Sequence, residues 1–249
     1  GLDATLEGEE GDTGNEYSSG DKKNLDLPQS QQNLLKAVLG AGKPVVVVLS
    51  SGSALAVDGG NALLEAWYPG QAGGTALANI LFGKVSPSGK LPVTFYKGVD
   101  DLPEFTDYSM KNRTYRYFEG EALYPFGYGL SYSKFEYTGA TFENGELSVT
   151  VKNAGDFDAD EVVQAYIKDL CVPFAVKNYS LCAFRRVELK AGEEKKISLP
   201  IGEKAFQSIN EDGIPVQGKR FTLYVGGSQP DAKSVQLTGQ KPLEISVVI

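Results

Sequence analysis

Residues 6–12 read "LEGEEGD", three glutamates and an aspartate within seven positions, spaced by two glycines. Carboxylates crowded this closely repel one another, so at least one keeps its proton to a higher pH than an isolated glutamate. A glutamate raised toward neutrality is what general acid catalysis needs. The same charge and glycine content also makes an ordinary solvated turn. Glu7, Glu9 and Glu10 are the candidate acid–base residues on this reading, and a plain surface loop is the alternative.

The remaining composition narrows the chemistry. The chain of 249 residues contains no histidine, which excludes a Ser-His-Asp triad, a Cys-His dyad and any His-ligated metal from within it. Carboxylates are then the natural acid and base. A net charge of −8 with no basic stripe argues against nucleic acid as a partner. Two cysteines, Cys171 and Cys182, are too few for a disulfide framework and too far apart for a CxxC site, so two small buried thiols are expected. The longest strongly apolar run, "PVVVVL", is too short to span a bilayer, and no signal peptide is visible. A soluble chain is expected, with cytoplasmic and secreted locations both open. It begins at Gly1 in mid-pattern, as a piece of something longer would.

Other polar stretches carry weaker chemistry. "DFDADE" at 156–161 lacks the glycine and the bidentate glutamate of a calcium loop and reads as a solvated hairpin loop. "SSGSALAVDGG" and "YPGQAGG" lack the glycine spacing that cradles phosphates, so no nucleotide cofactor is expected. The first follows a buried strand and is a candidate wall of a cleft, at the carboxyl edge where open α/β sheets place their sites. Asn112 and Asn178 open glycosylation sequons by pattern only.

The elements that must position these residues change character along the chain. Residues 28–40 put Leu34, Leu35, Val38 and Leu39 on one helical face, with Pro28 at the start and Gly40 as C-cap. Val45 to Leu49 is apolar at every position, the pattern of a strand buried on both faces in a parallel sheet. "GGTALANILFG" reads as a second helix and "SGKLPVTFY" as another strand. So few elements cannot cover a parallel sheet, which predicts that residues 1–97 are the C-terminal part of a larger α/β sandwich domain. Residues 98–133 form an aromatic-rich connector without periodicity. From residue 134 to 249 short alternating strands such as "ELSVTVKNAG" predict a β-sandwich of immunoglobulin or fibronectin type III-like kind with six or seven strands. The expected fold class is therefore α/β plus all-β: a partial α/β sandwich, with a parallel-rich sheet and flanking helices, followed by a β-sandwich.

Three stretches, "WYPGQAGGTALANILFGKVSPSGKLPVTFY", "TYRYFEGEALYPFGYGLSYSKF" and "AGDFDADEVVQAYIKDL", resemble the C-terminal portion of family 3 glycoside hydrolases, the β-glucosidase and β-xylosidase group. The resemblance implies a retaining mechanism with two carboxylates, no metal or organic cofactor, and β-linked glucosides or xylosides as substrates. It implies that the nucleophilic aspartate sits on a barrel, in another chain or segment, because no part of this sequence looks like that barrel. It also implies an acid/base glutamate on a loop of the sandwich domain, typically followed at the third and fourth positions by Asp-Arg. Glu9 and Asp12 have that spacing, which makes Glu9 the first choice and Glu7 and Glu10 its alternatives. The pattern departs at Thr13, where arginine is usual, and Gly20-Asp21-Lys22 is a second partial match. A homodimer remains open, and the competing reading is a non-catalytic carbohydrate-binding or assembly module lacking the barrel.

Overall fold

A computed structural model describes residues 24–249, and the chain divides into two compact units. The first holds the described residues up to Lys84 together with Phe95–Leu102 and Glu121–Leu123. The second holds Val85–Thr94, Pro103–Gly120 and Tyr124–Ile249.

In the first unit, α1 (Gln29–Leu39) starts after Pro28, whose fixed φ suits a helix entry. Gly40 N donates to Lys36 O and Ala41 N to Val38 O, and Gly40 stays in the right-handed region, so the left-handed turn falls two residues on at Gly42. β1 (Val46–Leu49) and β2 (Ala62–Glu65) pair in parallel, as the unbroken apolar run predicts. Leu49 joins Leu27, Leu55 and Val57 in a small buried cluster, with Leu35, Val47 and Leu63 packed against it. The expectation that β1 is covered on both faces does not hold among the described residues: Val46 is 49% and Val48 37% exposed. α2 (Gly73–Leu81) lies where the period puts it. The strand expected over 88–96 does not form. Leu91 spends its N–H on Tyr128 O and its carbonyl on Gly127 N, and Phe95 O accepts from Leu123 N, so these residues bond to the connector instead.

The second unit is a β-sandwich faced by that connector, whose only α-helical turn is α3 (Thr114–Tyr117). Its strands are β3 (Phe135–Glu143), β4 (Glu146–Asn153), β5 (Ala159–Asp169), β6 (Ser180–Leu189), β7 (Glu194–Pro200), the short β8 (Gln207–Ile209) and β9 (Pro215–Gln217), then β10 (Arg220–Gly226). A short helix α4 (Ala232–Thr238) precedes β11 (Leu243–Val248). One sheet has the order β11-β10-β5-β6, the other β3-β4-β7, and β8 and β9 form a separate hairpin. β4 shows why the alternation was legible. Leu147, Val149 and Val151 are fully buried, and Glu146, Ser148, Thr150 and Lys152 face away. The fourth inward position is Asn153, whose amide donates to Phe157 O at 2.8 Å and Leu189 O at 3.0 Å and accepts from Gly155 N at 3.0 Å. A buried amide bonded this fully is tolerated in a core.

β5 is buried on both faces because the connector covers its outer side. Val163, Ala165 and Ile167 point into the sandwich core. Gln164 and Tyr166 point outward under Phe126 and Tyr115, which stack on each other with centroids 4.1 Å apart. Gln164 donates to Gly127 O at 2.9 Å and accepts from Tyr166 Oη at 2.6 Å, so the polar atoms beneath the rings are paired.

Residues 85–94 also lie on the sandwich. A Cβ at Gly129 would stand 2.1 Å from Gly89 O, so the two backbones touch with no room for a side chain. Beside that crossing, Lys90 Nζ lies 3.1 Å from Glu161 Oε1 and donates to Gly129 O at 2.9 Å. Glu161 is 6% exposed, which corrects the expectation that all of "DFDADE" is a solvated loop: β5 begins inside it and carries its last residue inward. Burial holds the Glu161 carboxyl above its ordinary range, and Lys90 offsets only part of that rise. No helix among the described residues is long and apolar enough to cross a membrane.

Two stability predictions follow from the crossing. Gly129→Ala should destabilise the chain by about 3 kcal/mol, because the clash is with backbone and cannot be relieved by a rotamer change. Lys90→Met and Glu161→Leu should each cost about 3–5 kcal/mol by stranding a buried charge, and the double variant should return to within about 1 kcal/mol of wild type. Urea melts of the four proteins measure this cycle.

Candidate functional site

The carboxyl ends of β1 and β2 meet in two tight turns. Ala66 N donates to Leu49 O at 2.9 Å, carrying the parallel ladder one residue past its last pair. Ser50 Oγ donates to Trp67 O at 2.9 Å, and Ser51 Oγ, in a fully buried side chain, donates to Ser53 O at 2.8 Å. Trp67 adopts φ 51°, a left-handed conformation that a bulky residue takes only where its surroundings impose it. Its N–H donates to Glu65 Oε1 at 3.0 Å, and its ring meets Phe95 edge-on at 6.1 Å. These bonds fix an edge of two serines, one glycine and a tryptophan. Both hydroxyls donate to carbonyls, which holds the turns in place and makes this edge a wall.

Sequence reasoning named the "SSGS" turn as a wall but passed over Trp67 and Glu65. The one available signal was that Trp67 is the single tryptophan of the chain; its backbone conformation leaves no mark in the sequence.

Glu7, Glu9 and Glu10, and the partial match Gly20-Asp21-Lys22, lie outside the described residues. The chain enters the described region beside this edge. Leu25 O accepts from Ala56 N at 2.7 Å, and Leu27 is buried with Leu49 and Leu55.

Other candidates are structural. Among the described residues no cluster of Asp, Glu or Cys could hold a metal ion. Within 156–161, Asp158 accepts from Ala191 N at 2.8 Å and Asp160 pairs with Arg186. The Asn178 amide donates to Tyr115 O at 3.0 Å and Phe118 O at 2.9 Å, bracing the connector. The cysteines are free, but only one matches the buried pair expected. Cys182 is half-buried, and burial pushes its thiol up to about 12. Cys171 is exposed, because it sits in the turn after β5 that Asp169 holds by accepting from Cys171 N at 2.8 Å and Val172 N at 3.1 Å. Thiol titration at pH 8 should therefore show one fast-reacting cysteine in the native chain and a second only after denaturation. Two fast thiols in the native chain would contradict this burial.

The chain thus carries a parallel α/β edge and a seven-stranded two-sheet β-sandwich. Residues 1–132 match the glycosyl hydrolase family 3 C-terminal domain, and residues 161–229 match a fibronectin type III-like domain. The chain is 40% identical to a xylan 1,4-beta-xylosidase of Xylanibacter ruminicola, over 96% of this chain and 29% of that protein. It is 34% identical to a periplasmic beta-glucosidase of Salmonella typhimurium, over 84% of this chain and 31% of that protein. Among solved structures, the GH3 beta-glucosidase of Bifidobacterium adolescentis superposes with a TM-score of 0.80 at 35% identity, covering 95% of this chain and 37% of that one. This chain belongs to glycoside hydrolase family 3 and spans about a third of the length of these relatives.

Proposed function

We propose that this chain is part of a retaining exo-β-glycosidase that removes terminal non-reducing β-D-xylosyl or β-D-glucosyl residues, and that it supplies the acid/base glutamate. The observation that carries the reading is that the family match runs through residues 1–132, so "LEGEEGD" lies inside it. Relatives named as a β-xylosidase and a β-glucosidase support the substrate class.

Glu9 is the first choice for the acid/base, with Glu7 and Glu10 as alternatives. In the first step the protonated carboxyl gives its proton to the glycosidic oxygen. An aspartate on a barrel, in another chain or segment, attacks the anomeric carbon, and the C–O bond breaks. In the second step the carboxylate takes a proton from water, the water oxygen attacks the anomeric carbon, and the aspartate leaves. The two carboxyl groups must then approach to about 5–5.5 Å across the sugar. No metal or organic cofactor takes part. The "SSGS" edge with Trp67 would wall one side of the cleft. The exposed Val46 and Val48 support a companion domain against the first unit.

The test is hydrolysis of an unactivated β-xyloside and β-glucoside by the full-length protein. Glu9→Ala should lower kcat/KM on these substrates by about 10²–10⁴-fold; with a 2,4-dinitrophenyl β-glycoside, whose leaving group needs no proton, added azide should restore turnover with a β-glycosyl azide as product. Undiminished activity would remove Glu9 from the role. Azide rescue in Glu7→Ala or Glu10→Ala alone would transfer the role to that residue.

A further inference from the structure

The ion pair beside the Gly89–Gly129 crossing forms part of the lining of a cavity of about 100 Å³ within the second unit. Glu161 Oε1 takes both of the carboxylate's protein contacts: Lys90 at 3.1 Å and Val162 N at 2.7 Å. Among the described residues its other oxygen makes no hydrogen bond or ion pair. Lys90 has three donors; one goes to Gly129 O and one faces Glu161, which leaves a third. A desolvated ion pair is stable only when its remaining lone pairs and protons also find partners.

An unspent donor and an unspent acceptor side by side match one chemical group. A hydroxyl accepts from the ammonium and donates to the carboxylate at the same time. An anionic ligand would meet the carboxylate and a cationic one the ammonium, so the pair selects a neutral, hydroxyl-bearing molecule.

The approach is kept open by a glycine. A Cβ at Gly227 would stand 3.4 Å from each Glu161 carboxylate oxygen and 3.2 Å from Tyr137 Oη, capping the carboxylate. Ser228 continues the wall, and the exposed Lys134 and Lys241 stand at the rim. The cavity is roomy enough for one hydroxylated edge of a ring whose remainder lies at the mouth.

We propose that this cavity is a saccharide-binding site, taking an edge hydroxyl of a pyranose between Lys90 and Glu161. The proposal is independent of the hydrolytic reading, because binding here needs neither the acidic loop nor a companion chain.

Amide NMR titration of the 249-residue chain with xylose, with glucose and with inorganic phosphate tests it. Saturable shifts with at least one sugar, centred on Gly129, Glu161 and Gly227, are expected, and none with phosphate. Gly227→Ala leaves the ion pair intact and should weaken sugar binding at least about tenfold, the scale of a lost hydrogen bond to a charged group. Glu161→Gln should weaken it similarly; if that variant does not fold, Gly227→Ala decides alone. Absence of saturable sugar shifts, saturation by phosphate, or equal affinity in Gly227→Ala would overturn the proposal.

Discussion

The second unit depends on one steric constraint: two backbone segments about 40 residues apart in sequence cross at Gly89 and Gly129 with no side chain between them. Once they touch, Lys90 is carried under the Gly129 carbonyl and against Glu161, where its charge must be paired. The same approach sets Leu91 against Tyr128 and Gly127, and Gly127 in turn receives the Gln164 amide. Outward-facing positions of β5 are thereby roofed by Phe126 and Tyr115. A strand that would be half-wet in a free-standing sandwich becomes fully buried.

That arrangement explains why two families of contact meet in one compact unit. Residues 85–94 and 124–132 lie within the stretch matching the glycosyl hydrolase family 3 C-terminal domain, yet Lys90 pairs with Glu161 and Gly127 O receives the Gln164 amide, both on β5. The fibronectin-like strands therefore share one compact unit with part of that stretch. Its largest sheet uses the connector as its outer cover.

Periodicity made most of this legible. The inward residues of β4 alternate without exception, and the unbroken valines of β1 announce a parallel pair. Local signals misled where tertiary bonding prevailed. "ALLE" is built of helix formers but lies in β2 because β1 supplies the ladder. "SGKLPVTFY" has strand-like residues, but its backbone groups are taken by the connector. Glu161 sits in an acidic run that reads as solvated, and only the distant Lys90 gives a reason to bury it. At the candidate site, the serine turn was visible as the end of an apolar strand. Trp67 was not, since its left-handed conformation is imposed by Glu65 and Ser50 and leaves no local pattern.

In the proposed reading the chain's contribution to glycoside cleavage is proton transfer: it holds a surplus of carboxylates and no histidine, and Ser50 and Ser51 of the candidate edge donate to carbonyls. Pre-steady-state cleavage of a 2,4-dinitrophenyl β-glycoside by the full-length protein carrying Glu9→Ala tests that division of labour most directly. This leaving group departs without a proton, so the first step should proceed while the second stalls. A burst of about one equivalent of dinitrophenol, slow turnover afterwards and a glycosyl adduct in the intact mass are the expected result. Linear turnover at the wild-type rate, with no burst and no adduct, would contradict it.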